Sequence, residues 1–122
     1  MEKVSGIGGF FFRARDPDAL AAWYRDQLGV SLVPSGEGDE PWVQEAGPCA
    51  FTPFEESTDH FGDSTKMWML NFRVRNLDAM VAQLREAGIA VDVNAEAYPF
   101  GRFARLNDPE GNPLELWEPG PG

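Results

Sequence analysis

Apolar and polar positions along this chain fall into short runs of strand character and two stretches of helical period. Residues 6–15 (GIGGFFFRAR) are apolar and aromatic, read as a strand, and are closed by Asp16-Pro17. Leu20, Trp23, Tyr24 and Leu28 then recur at helical spacing. Asp16 is placed to cap this helix, and Pro17 takes the first helical position, where a missing N–H costs nothing. Asp18 suits the positive N-terminal end, and Gly29 stops the helix. Residues 30–33 predict a second strand, residues 34–41 a polar loop, and residues 42–45 and 49–54 two further short strands. Residues 55–65 are polar without a period and read as a connector. Residues 66–75 (KMWMLNFRVR) predict a strand. Asn76 caps the next helix, which carries Leu77, Met80, Val81 and Leu84 on one face and ends at Gly88. Residues 89–93 predict a strand. Residues 102–106 and 113–117 predict a pair joined by NDPEGN at 107–112, the strongest hairpin chemistry in the chain.

The pattern repeats. Residues 12–26 (FRARDPDALAAWYRD) and 72–86 (FRVRNLDAMVAQLRE) are identical at seven of fifteen positions, at an offset of 60. Both copies end in a glycine followed by a β-branched residue, Gly29-Val30 and Gly88-Ile89. Each copy reads as strand, helix, then three strands. The expected fold is therefore α+β, a single domain of two tandem βαβββ modules. Module one covers residues 1–56, the connector 57–65 and module two 66–119. Such a period is longer than that of solenoid units. Two copies predict pseudo-twofold pairing of two small sheets, each with one face on its helix and the other on a shared cavity.

Composition narrows the partners. The 122 residues carry 20 Asp and Glu against 10 Lys and Arg, a net charge of −10. That balance argues against nucleic acid and anionic membrane, both of which want a basic patch. No apolar run approaches a membrane span of ~20 residues, and Met1-Glu2-Lys3 is not followed by a signal-peptide core. The single cysteine, Cys49, excludes an internal disulfide framework and a multi-cysteine zinc site, and suits a reducing cytoplasm. With no adjacent base, Cys49 reads as a small buried residue. Nine Phe, four Trp and two Tyr are rich for this length and predict an aromatic-lined cavity or a large interface.

On three segments the chain resembles the vicinal-oxygen-chelate superfamily, the glyoxalase/bleomycin-resistance/extradiol-dioxygenase group. They are FFRARDPDALAAWYRDQLG at 11–29, NFRVRNLDAMVAQLREAGI at 71–89 and NDPEGNPLELWEP at 107–119. The resemblance implies the two-module fold and a homodimer. It also implies four metal-ligand positions in the metal-dependent members. Those of the two first strands fall at Gly9 and Met69, again 60 apart, and those of the two last strands fall near Phe51 and at Glu115. Neither glycine nor a thioether is a credible hard-metal ligand, and one carboxylate cannot hold a transition metal. A cofactor is therefore not expected, and a divalent metal is disfavoured. His60 is the only histidine. It reads as a loop-packing residue or, alternatively, as a general acid/base near neutral pH.

Side-chain alternation sorts the faces. With Gly9 toward the cavity go Phe11 and Arg13, while Phe10 and Phe12 pack on the helix. With Met69 go Asn71 and Arg73, while Leu70, Phe72 and Val74 pack inward. With Glu115 goes Trp117, while Leu114 and Leu116 enter the core. Trp42 and Tyr98 are further candidates for the lining. The segment 98–102 reads as a lid or a plain turn. A few polar groups in an apolar pocket are the usual make-up of a small-molecule site. The first reading is a protein that binds a small, partly aromatic molecule, as the bleomycin-resistance-like relatives do. The second is a superfamily lyase, isomerase or dioxygenase-like enzyme, with Glu115 as base or remaining metal ligand and donors rebuilt from Glu45, Asp59 or His60. The third is a structural or regulatory dimer with an unused cavity. For Glu115 the structural alternative is an ion pair with Arg73 or Arg105.

Overall fold

The computed structural model describes residues 1–32 and 41–120. Residues 34–40 of the predicted loop 34–41 and the last residue of the predicted strand 30–33 lie outside the described residues. Helix α1 spans Pro17–Leu28 and helix α2 spans Leu77–Glu86. Their starts repeat atom for atom: the Asp16 side chain accepts from the Ala19 amide at 3.1 Å, and the Asn76 side chain accepts from the Ala79 amide at 3.0 Å. Each cap satisfies one of the amides that a first helical turn leaves without an intrahelical partner. Gly29 ends α1 at φ +73, a left-handed conformation that a side chain would strain.

Four strands follow from the second half of the chain: β1 (Leu70–Arg73), β2 (Asp92–Val93), β3 (Gly101–Asn107) and β4 (Pro113–Pro119). They form one mixed sheet in the order β1-β4-β3-β2. The predicted pair is a true hairpin, with β3 antiparallel to β4, and β1 runs parallel to β4. The core lies between this sheet and both helices. Leu77, Val81 and Leu84 of α2 and Leu20 and Tyr24 of α1 pack with Ala104, Leu106, Leu114 and Leu116 of the sheet. One buried carboxylate locks α1 to the hairpin turn. Asp108 accepts from the Tyr24 hydroxyl at 2.6 Å, from the Glu110 and Asn112 amides and from the Asn112 side chain. Burying a charge is costly unless it is hydrogen-bonded in this way.

Among the described residues the predicted strands of the first half do not form. Residues 6–15, 42–45 and 49–54 carry no strand pairing, and residues 41–54 are exposed throughout. A strand needs a neighbour for its N–H and C=O groups, and the first half finds none among the described residues. Phe10 and Phe12 remain exposed, outside the core, with their rings against Trp68 at 5.0 and 5.3 Å between ring centres, and only Phe12 meets the helix, at Tyr24. Cys49 is exposed rather than buried, because its segment lies outside the core. The predicted strand 89–93 shortens to Asp92–Val93, since the Ile89 amide turns back to the Leu84 carbonyl to close α2. The predicted strand 66–75 shortens to Leu70–Arg73, the four residues that pair with Leu114–Trp117 of β4.

Candidate functional site

Alternation along the sheet decides which side chains face away from the helices. Leu114 and Leu116 are fully buried in the core, so Glu115 and Trp117 of β4 point to the opposite face. The register places Asn71 beside Glu115 on one side and Arg105 beside it on the other. Asn71 Nδ2 donates to Glu115 Oε1 at 2.7 Å. The second carboxylate oxygen, Oε2, faces His60 Nε2 at 3.7 Å. The Glu115 side chain is only 13% exposed. No lysine or arginine pairs with it among the described residues.

His60 is carried there by the connector. Consecutive turns, with amide-to-carbonyl bonds from Thr58 to Glu55, Gly62 to Asp59 and Lys66 to Asp63, fold residues 55–66 over the sheet. The His60 amide bonds the Thr58 hydroxyl, its ring stacks on Phe54 at 5.0 Å and 12°, and its carbonyl accepts from Arg105. Arg105 also reaches the Met69 sulfur at 3.5 Å. The guanidinium thus holds the histidine loop and does not pair with Glu115. Beyond Glu115, Trp117 stacks on Phe103 at 6.2 Å and 3°, and its indole N–H donates to the Phe100 carbonyl. Tyr98 stacks on Phe100 and meets Phe103 edge-on. The arrangement is a hydrogen-bonded carboxylate facing an imidazole, flanked by flat aromatic surfaces.

Glu115, His60, Asn71, Met69, Trp117 and Tyr98 therefore share one face. Arg73 is on that face by register, but its guanidinium donates to the Glu45 carbonyl. Phe11 is 89% exposed and Trp42 42% exposed, both in the unpaired first half. Arg13 lines a separate recess at the start of α1. Segment 98–102 is a tight turn in which Tyr98 and Gly101 exchange backbone hydrogen bonds. Phe54, Phe103 and the hold of Arg105 on the histidine loop add to the residues that the sequence pattern points to. The signal for two of them is in the sequence, since Ala104 and Leu106 as core positions send Phe103 and Arg105 to the Glu115 face.

A family model described as a glyoxalase-like domain matches residues 9–117. The chain belongs to the glyoxalase/bleomycin resistance/dioxygenase superfamily. Among its curated relatives is a biphenyl-2,3-diol 1,2-dioxygenase of Sphingomonas paucimobilis, 31% identical over 96% of this chain and 40% of that protein. A 1,2-dihydroxynaphthalene dioxygenase of Sphingobium xenophagum is 29% identical over the same shares. The chain thus spans about 40% of the length of these relatives. Among solved structures, an antibiotic-binding protein of Streptomyces superposes with a TM-score of 0.65 at 26% identity, covering 98% of this chain and 100% of that one. A lactoylglutathione lyase of Agrobacterium tumefaciens shares the fold, with a TM-score of 0.59 at 21% identity over 95% of each chain.

Metal-dependent superfamily members imply a metal at this face, and the residues here do not fit one. Among the described residues no three His, Cys, Asp or Glu side chains converge. His60 and Glu115 offer two donors, Met69 is a thioether, and Glu45 is engaged by Arg75. Two donors fall short of the three or four that a transition metal takes from protein. Among the described residues no helix is long and apolar enough to cross a membrane.

Proposed function

We propose that this glyoxalase-like protein binds a small, partly aromatic molecule on the Glu115 face, without a bound metal, as a homodimer of two-module chains in a reducing cytoplasm. One observation carries the reading: Glu115 is a largely buried carboxylate with one oxygen held by Asn71, the other facing His60, and aromatic stacks on either side. Such a carboxylate selects a hydrogen-bond donor or a cation, and the flat rings select an aromatic body. The antibiotic-binding protein of similar structure supports a small-molecule ligand. The unpaired first-half segments support a second copy, against which they would complete module one and close the cavity.

Biphenyl-2,3-diol and 1,2-dihydroxynaphthalene are suitable first probes, because each presents hydroxyl donors on an aromatic frame. Saturable change in tryptophan fluorescence is expected with either. Glu115→Gln removes a charge-assisted acceptor and weakens binding about tenfold or more. Trp117→Phe removes most of the fluorescence change. Unaltered affinity in Glu115→Gln overturns the assignment, and a stoichiometric transition metal in protein purified without a metal-affinity tag overturns the metal-free reading. The pairing of His60 with Glu115 favours a second reading, in which Glu115 acts as the base of a lyase, isomerase or dioxygenase-like reaction. Conversion of either diol to product that disappears in Glu115→Gln would select it.

A further inference from the structure

Two adjoining recesses open where α1 begins. The first, of about 400 Å³, is lined by Arg13, Ala14, Arg15, Lys66, Glu110 and Asn112. The second, of about 330 Å³, shares Arg15 and Glu110 with it and is walled by Leu20, Trp23 and Pro109. Three of the ten basic residues of a chain with net charge −10 line the first recess.

The other basic side chains show why this concentration matters. Arg25, Arg75 and Arg102 pair with carboxylates. Arg73, Arg85 and Arg105 donate to backbone carbonyls, and Lys3, the seventh, lies exposed near the chain start. Arg13 and Lys66 make no ion pair among the described residues. The carboxylate of the recess, Glu110, is committed to the backbone, accepting from the Arg15 amide at 2.6 Å and the Asp16 amide at 3.1 Å. The Arg15 side chain lies 3.8 Å from it and is 82% exposed, free to turn toward a ligand. Asp63 senses the Lys66 charge, but its carboxylate is held by the Thr65 amide and hydroxyl at 2.8 and 2.9 Å. Across the two recesses three cations thus meet two carboxylates, Glu110 and the helix cap Asp16, both already accepting from backbone amides, and an apolar wall adjoins them.

We infer that the two recesses form one binding site for a small organic acid, with a carboxylate or phosphate head among Arg13, Arg15 and Lys66 and an apolar ring against Trp23 and Pro109. Arginine forks suit both heads, and a tryptophan face suits the ring. The site is separate from the Glu115 face and does not depend on the ligand proposed there.

An amide NMR titration of the full chain tests this with phenylacetate and phenyl phosphate, against inorganic phosphate as head alone and benzyl alcohol as body alone. Saturable shifts are expected at Ala19, Trp23, Glu110 and Gly111, and the stronger acid of the two identifies the head. Arg13→Ser combined with Lys66→Ser should weaken both acids about tenfold or more, and added salt should weaken them further. Trp23→Leu should weaken the aromatic acids and leave inorganic phosphate unchanged. Affinity retained in the double variant, equal binding of benzyl alcohol, or the absence of saturable shifts overturns the inference. So do shifts confined to Asn71 and Glu115, an outcome that leaves the proposed function standing.

Discussion

Tyr24 and Asp108 show how much one side chain decides here. The phenol donates to a carboxylate that also takes three donors from its own turn, and both residues are buried. Burial first, and then the hydrogen bond and charge of Asp108, push the Tyr24 phenol well above its ordinary value of 10.0. The folded state therefore favours the protonated phenol more than the unfolded chain does. The resulting stability is complete below the unfolded pKa near 10 and is lost as pH rises past it toward the higher folded value. Tyr24→Phe should cost about 1–3 kcal/mol at neutral pH by removing a buried charge-assisted bond. Denaturant melts of both proteins from pH 8 to roughly 11 should show the difference shrinking with rising pH. A constant difference would mean that the hydroxyl adds packing and no proton linkage.

At the scale of elements, the helices are secured locally and the sheet by close backbone contact. The Asp16 cap serves one amide, so Asp16→Ala should cost about 1 kcal/mol. Gly101 is a different case. It opens β3 at φ +133, and a Cβ there would run into the Glu118 carbonyl across the hairpin. Gly101→Ala forces β3 and β4 apart where Trp117 is anchored to Phe100, and should cost roughly 2 kcal/mol or more. Urea midpoints rank the two variants directly. A Gly101→Ala midpoint nearer to wild type than that of Asp16→Ala would show that the hairpin end yields easily. The same variant should also disturb the Tyr98, Phe103 and Trp117 stacks, and so any ligand response of Trp117.

The whole molecule is uneven. The second half holds the sheet, while the first half contributes α1 and long exposed segments with Phe11, Val43 and Phe51 at 89%, 83% and 84% exposure. Pairing of two copies, as proposed, would cover these side chains. Light scattering is expected to give twice the chain mass of 13.5 kDa. Phe51→Asp removes no core contact of the single chain and should yield a monomer. Identical masses for the two proteins would count against pairing through this segment.

Both helices, with caps and stops, were legible in the sequence, because capping and helical period act over a few residues. The repeat offset of 60 transferred the Asp16 cap onto Asn76 correctly. The hairpin at 107–112 and the burial of Leu114 and Leu116 followed from turn chemistry and alternation. The pairing of Asn71 with Glu115 rests on strand register, which no local signal specifies; alternation alone had put both on one face. The approach of His60 to Glu115, the turning of Arg105 toward the connector and the gathering of Arg13 with Lys66 join residues far apart in the chain. The sequence by itself determined which residues form helices, which faces are apolar and how the charge is balanced, since these depend on neighbours along the chain. Only the tertiary structure decided which segments find a strand partner and which polar groups meet, because both depend on where distant backbone comes to rest.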